Sequence, residues 1–161
     1  ELRDADTVRW AMTAAETGHL VLGTLHTTSA TKTIDRIVDA LPAEEREQTK
    51  SFLSQSLLGV VTQFLVRTPD LRGRKAICAV MVMNRAIGKL ITSEQSHMIP
   101  SQLQTGREVG MQTLDQALLA AIQAREIDPE DAFGYAMDKK PFARYVPEGT
   151  AILKADVTQG L

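Results

Sequence analysis

Glu16–Ser29 reads ETGHLVLGTLHTTS, and the fold turns on how this stretch is read. An apolar run, His19-Leu20-Val21-Leu22-Gly23-Thr24-Leu25, passes directly into a polar cluster, His26-Thr27-Thr28-Ser29. The run is too short for a helix of ordinary length, is entered through Gly18, and suits a buried strand. Helical periodicity resumes after it, so the polar cluster sits where a strand hands over to a helix. In open α/β sheets, ligands gather at that carboxyl end of the strands. His26, Thr27 and Thr28 are therefore expected to face a site.

Working outward, Val8, Ala11, Met12 and Ala15 recur at helical spacing before the strand, with Asp4 or Asp6 as cap and Gly18 as terminator. After it, Thr28 or Ser29 caps a helix carrying Ile34, Ile37, Val38 and Leu41 on one face, which Pro42 breaks. Glu44 and Glu45 open a long helix whose stripe is Leu53, Leu57, Val60, Val61 and Phe64. Arg67–Gly73, RTPDLRG, is a turn-rich connection, and Ala76–Met83 reads as a strand covered on both faces. From Asn84 the pattern is helical. A short helix spans Asn84–Ser93, a turn is bracketed by Gly106 and Gly110, and Met111, Leu114, Leu118 and Ile122 mark another helix. Asp128-Pro129-Glu130 starts a last one, running to about Met137. The predicted organisation is an α/β piece over 1–83, a helical appendix over 84–139, and a tail over 140–161 with little periodicity.

The totals narrow the class. The chain has 161 residues, 43% hydrophobic and 24% charged, which is ordinary globular composition. A formal charge of −2 gives no electrostatic footprint for nucleic acid. A single cysteine, Cys78, excludes an internal disulfide framework and a cysteine-based zinc site, and fits a reducing compartment. No apolar run approaches ~20 residues, so no membrane span is expected. Because the chain opens on Glu1 rather than Met, a fragment of a longer protein is expected.

Several residues carry candidate chemistry. His26, at a strand end, could polarise a phosphate, or could merely cap the neighbouring turn. His19 starts the same strand, so it should lie at the far end of the sheet as a solvated or interface histidine. Thr28 and Ser29 are fully explained as helix caps. An acid just beyond an apolar strand, as Glu1 would be, can hold Mg²⁺ or orient a water for attack on a phosphate. No G-x-x-x-x-G-K-[ST] and no H-E-x-x-H occurs in the chain, whose histidines are His19, His26 and His97. The methionines read as gap-filling core residues.

The segment ELRDADTVRWAMTAAETGHLVLGTLHTTSATKTIDRIVDALPAEE closely resembles the second half of the motor domain of PilT-type pilus retraction ATPases, within the type II/IV secretion ATPase superfamily. GMQTLDQAL, at Gly110–Leu118, is similar to the start of a C-terminal helix in that family. The similarity runs from residue 1 to about 137. It implies part of a RecA-like P-loop NTPase motor domain followed by a small helical appendix. By this resemblance Glu1 is the acid that positions Mg²⁺, through water, for ATP hydrolysis. His26 is the γ-phosphate sensor, and the family's histidine box covers Thr17–Thr27, which brings His19 and Thr27 to the nucleotide or subunit boundary. Arg3 is implied as a conformational, nucleotide or intersubunit contact.

The resemblance further implies a homo-hexamer driven by ATP, peripheral at the cytoplasmic side of the inner membrane. It would power pilus retraction through an inner-membrane platform protein, with a paralogous motor as a further partner. A four-cysteine zinc insert of secretion-type relatives is missing, which favours the pilus branch. The family's AIRNLIRE-like motif corresponds to Ala86-Ile87-Gly88-Lys89-Leu90-Ile91-Thr92-Ser93. Its apolar positions are kept, but Gly88, Lys89, Thr92 and Ser93 stand where Arg, Asn, Arg and Glu are expected. That removes salt-bridging capacity and raises an alternative, a non-catalytic auxiliary paralogue or interaction module. Lacking a phosphate-cradling loop, these residues alone are expected neither to bind ATP tightly nor to hydrolyse it.

Overall fold

The computed structural model describes residues 1–147, and the later part of the predicted tail lies outside the described residues. Its helices are α1 (Ala5–Glu16), α2 (Ala30–Asp39), α3 (Arg46–Ser56), α4 (Arg85–Thr92), α5 (Ile99–Thr105), α6 (Leu114–Gln123) and α7 (Pro129–Tyr135). Two strands, β1 (Gly59–Arg67) and β2 (Arg74–Val82), form a hairpin between α3 and α4. Met83 N donating to Leu58 O and Thr68 N donating to Gly73 O set its antiparallel register. The chain divides into two compact units, one of Glu1–Thr62 with Ala79–Gln112, the other of Gln63–Cys78 with the chain from Thr113 onward. The base of the hairpin belongs to the first and its tip to the second.

Polar side chains set the helix starts. Asp4 accepts from Thr7 N at 2.9 Å in a capping box, Ser29 Oγ accepts from Lys32 N at 3.2 Å, and Asn84 accepts from Ile87 N at 2.9 Å. In the first unit, α2 turns Ile34, Ile37 and Val38 inward onto Leu41, Leu53, Ile87, Ile91 and Ile99. The pairing of α3 with α4 is unusually close. A Cβ at Gly88 would stand 3.0 Å from Ser54 O, so only glycine lets the two helices meet there undisturbed. At the same contact Lys50 of α3 bonds Glu94, which lies just past α4 with φ +58. Arg9 of α1 forks onto Glu45, Nε to Oε2 at 3.0 Å and Nη2 to Oε1 at 2.7 Å.

The second unit buries Leu118, Ile122, Ile127, Phe133 and Phe142. Asp131 fastens the hairpin tip to α7, accepting from Arg67 N at 2.8 Å and from its Nε at 3.1 Å. Asp115 of α6 accepts from the backbone of Met137 and Asp138. Lys75 pairs with Glu126.

Three expectations are corrected. First, His19–Leu25 pairs into no sheet among the described residues. Its long-range backbone bond is at Thr24, whose carbonyl accepts from Leu2 N at 2.9 Å. Leu20 and Leu22 are 73% and 88% exposed, whereas a buried strand needs neighbours on both sides. Second, the long helix stops at Ser56. Leu57 turns extended (ψ 129), and Val60, Val61, Thr62 and Val66 favour the strand they form. Gly59 is required there, because a Cβ would meet Met81 O at 2.7 Å. Third, β2 is not covered on both faces: Ile77 and Met81, which share one face, are its buried residues. The beginning of the predicted tail is ordered, with Phe142 and Val146 buried.

Candidate functional site

The site is built on the first unit, at Glu1–Arg3 and the end of the His19–Thr27 segment. Leu2 fixes the register of the two. Its N–H bonds Thr24 O, its side chain packs on the core, and Gly23 makes room for it, since a Cβ at Gly23 would fall 2.9 Å from Leu2 Cδ1. With Leu2 turned inward, Glu1 and Arg3 share the opposite face by the two-residue alternation of extended chain. Glu1 then meets His26: Nε2 lies 3.3 Å from Glu1 Oε1. Arg3 Nε lies 3.6 Å from the same oxygen. The cluster is open to solvent, with the His26 side chain 86% exposed and that of Glu1 37%.

The other expected residues lie apart from this cluster. His19 stands at the opposite end of the segment, its Nδ1 3.0 Å from Thr17 Oγ1. Thr17 Oγ1 also lies 2.9 Å from Ala14 O; with the hydroxyl proton there, His19 Nδ1 is the donor and Nε2 is left as acceptor. Thr27 Oγ1 turns to Thr33 Oγ1 at 2.7 Å, at the root of α2. Thr28 takes Lys32 Nζ at 3.1 Å, and Ser29 is the cap. Asp4 is fully engaged by Thr7, whose backbone N–H and hydroxyl hold its carboxyl below the ordinary carboxylate range. What the residue pattern did not reveal is the supporting role of Leu2 and Gly23. The available signal was a glycine inside an apolar run, which marks a close approach.

Cavities in this unit flank the cluster and the α2–α4 packing. One of about 200 Å³ sits beside the cluster, lined by Leu2, Arg3, Leu25, Arg36 and Asp39 among others. The larger, of about 400 Å³, is floored by Ile34, Val38 and Ile91. Its cations are already paired, Arg46 with Asp39 at 3.3 Å and Lys50 with Glu47 at 2.7 Å, so it is a region of structural ion pairs.

What the cluster offers is a half-exposed carboxylate beside an imidazole and a guanidinium. That set suits a water or hydrated cation on the acid and phosphate oxygens on the two nitrogen groups. The chain's fold is part of an ATPase motor fold. It aligns with the crystal structure of the pilus retraction motor PilT with bound ADP at a TM-score of 0.77 and 38% identity, covering 89% of this chain and 40% of that one. The family described as Type II/IV secretion system protein matches residues 1–129, and the chain belongs to it. The twitching motility protein of Neisseria gonorrhoeae is 50% identical over 132 residues, 82% of this chain and 35% of that protein. The type IV pilus ATPase PilU of Pseudomonas aeruginosa is 36% identical over 164 aligned residues, taking in 100% of this chain and 43% of that protein. The chain thus spans well under half the length of the curated relatives it matches.

Proposed function

We propose that this chain is the carboxyl-terminal part of an ATP-hydrolysing motor that drives type IV pilus retraction. The observation that carries the reading is the approach of His26 Nε2 to Glu1 Oε1 at 3.3 Å. Glu1 is the group that aims a water, or a water of hydrated Mg²⁺, at the terminal phosphate, and His26 contacts that phosphate through Nε2. Bound Mg–ATP would supply the phosphoryl group to be transferred. Residues 1–161 contain no G-x-x-x-x-G-K-[ST], and the proposal assigns the phosphate cradle to other sequence of the full-length protein. Thr27 and His19 are engaged with Thr33 and Thr17, and serve by holding the segment's two ends. A homo-hexamer at the cytoplasmic face of the inner membrane, pulling through a platform protein, completes the proposal by analogy with the retraction relatives.

A second reading, an auxiliary paralogue without turnover, is favoured by Gly88 and Ser93 standing where the family's retraction motif carries charge. ATPase assays of the full-length protein separate the two. Glu1→Gln and His26→Ala are each expected to lower turnover by about 10²-fold or more. Near-normal turnover in both overturns the roles assigned to Glu1 and His26, and no turnover in the unmutated protein supports the auxiliary reading.

A further inference from the structure

We propose that the tip of the hairpin is a docking element, and that it seats in the cavity between α2, α3 and α4 of a second copy of this chain. The inference rests on the proposal that copies of the full-length protein assemble, and on nothing assigned to Glu1 or His26. The tip is tied internally. Leu71 N donates to Thr68 O at 2.9 Å, Gly73 N donates to Thr68 Oγ1 at 3.0 Å, and Asp70 turns onto the Thr68 hydroxyl and Arg72 N. These bonds hold Leu71 at φ 59, a left-handed conformation that a residue of its size rarely takes. Leu71 is 59% exposed, and Arg72 and Arg74 next to it are exposed too. The flanking Arg67 and Lys75 are paired with Asp131 and Glu126, whereas Arg72 and Arg74 enter no ion pair among the described residues.

An exposed leucine with two unpaired arginines is complementary to an apolar floor within an acidic rim, and the first unit presents one. The cavity of about 400 Å³ is floored by Ile34, Val38 and Ile91. Asp35, Asp39, Glu47 and Glu94 line it against Arg46 and Lys50, so four carboxylates meet two cations and two negative charges are in excess. Arg46 is taken by Asp39, and Lys50 by Glu47 and Glu94. Asp35 accepts from the Ser96 hydroxyl at 3.0 Å and enters no ion pair among the described residues. Two cations and one apolar side chain on the tip thus match two surplus charges and one apolar floor in the cavity. Leu71 is the anchor, with little ordering left to lose because its loop is already held. The arginines set register and turn away like-charged surfaces. Tip and cavity are different surfaces, so the contact is head-to-tail, the kind that closes rings. It is too small to hold two copies by itself, and acts where other contacts keep them together.

The test is disulfide cross-linking in the full-length protein under mild oxidation. A tagged copy carrying Leu71→Cys is co-expressed with a second carrying Ala43→Cys, at the cavity wall. Met137→Cys, at a more exposed position, replaces Leu71→Cys as the control. The Leu71→Cys and Ala43→Cys pair is expected to cross-link about tenfold faster than the control or more. Adding Arg72→Glu/Arg74→Glu to the tip copy lowers that rate about tenfold. Asp35→Arg in the cavity copy then restores part of it, which damage to the fold could not do. Equal rates for pair and control overturn the inference, as does a rate unmoved by charge reversal. Cross-linking confined to Leu71→Cys/Ala43→Cys on a single copy also overturns it, since the tip then meets its own cavity. Phosphatidylserine vesicles bound by the parent and not by Arg72→Glu/Arg74→Glu, with cross-linking at the control level, reassign the tip to a membrane surface. Sedimentation of the parent separates the two proposals. A monomer removes the assembly and the inference with it, whereas an oligomer that fails the cross-linking overturns the inference alone.

Discussion

Ile87 and Leu22 belong to equally apolar stretches of the same compact unit, yet Ile87 is completely buried and Leu22 is 88% exposed. The helix containing Ile87 satisfies its own backbone, so burying its apolar face needs only another helix, and α3 supplies one. The stretch containing Leu22 needs a neighbouring strand for its N–H and C=O groups before burial has any advantage. Its long-range backbone bond, Leu2 N to Thr24 O, holds it at the end where Glu1 and His26 meet. One region is therefore fixed by packing. The other is fixed by register, and its side chains stay available to whatever lies against them.

This contrast can be broken most sharply at Gly88. Gly88→Leu should force α4 off Ser54 and lower unfolding free energy by about 1–3 kcal/mol, read from the denaturant midpoint. An unchanged midpoint would mean that the α3–α4 contact is not the rigid element described.

A smaller effect is expected from pH. The Lys50 ammonium, through its hydrogen bond, holds the Glu94 carboxyl below its ordinary range, and hydrogen bonds to Glu47 first and Glu94 second raise the Lys50 ammonium above its own. Arg9 depresses Glu45 in the same way. A depressed carboxyl binds fewer protons folded than unfolded, so its contribution is present above the unfolded value and is lost as pH falls through the folded one. For Lys50 the contribution is complete below the unfolded value and is lost as pH rises through the folded one. Stability should be level between these two windows. Glu94→Gln should flatten the acid limb, and an acid limb identical to the parent's would show that the tie between α3 and α4 does nothing.

The smallest effect belongs to the exposed stretch. Leu22→Asp should change stability of the isolated chain by less than about 0.5 kcal/mol, because nothing covers the side chain. A loss comparable to that of Gly88→Leu would erase the distinction between the two regions.

Much of the helical framework was legible from the residues. Asp4, Ser29, Asn84 and Asp128 announce helix starts through side chains that reach three residues on, a signal confined to local sequence. The 57–64 stretch misled because Leu57, Val60, Val61 and Phe64 fit helical spacing while β-branched residues and Gly59 favoured the hairpin. The partner that decided the matter, Met81, lies some twenty residues further along. His19–Leu25 misled in the opposite sense: its composition is that of a strand, but a strand is a relation between segments, and no single stretch reveals its neighbours. At the site, His26 was marked by its place after the apolar run. Its pairing with Glu1 depends on Leu2 fitting over Gly23, which no local pattern exposes. Gly88, standing where the family motif carries charge, lets α4 approach α3 closely, with Lys50 bonding Glu94 beside it.

The capping box at the start of α1 has a consequence for anyone redesigning this segment. Glu1 and Asp4 look like a pair of interchangeable acids three residues apart, but Asp4 is a fastening for the helix, with both its bonds made to Thr7. Serine, threonine or asparagine can fill that post at small cost. Position 4 is therefore a place where charge can be tuned without touching the chemistry proposed for position 1.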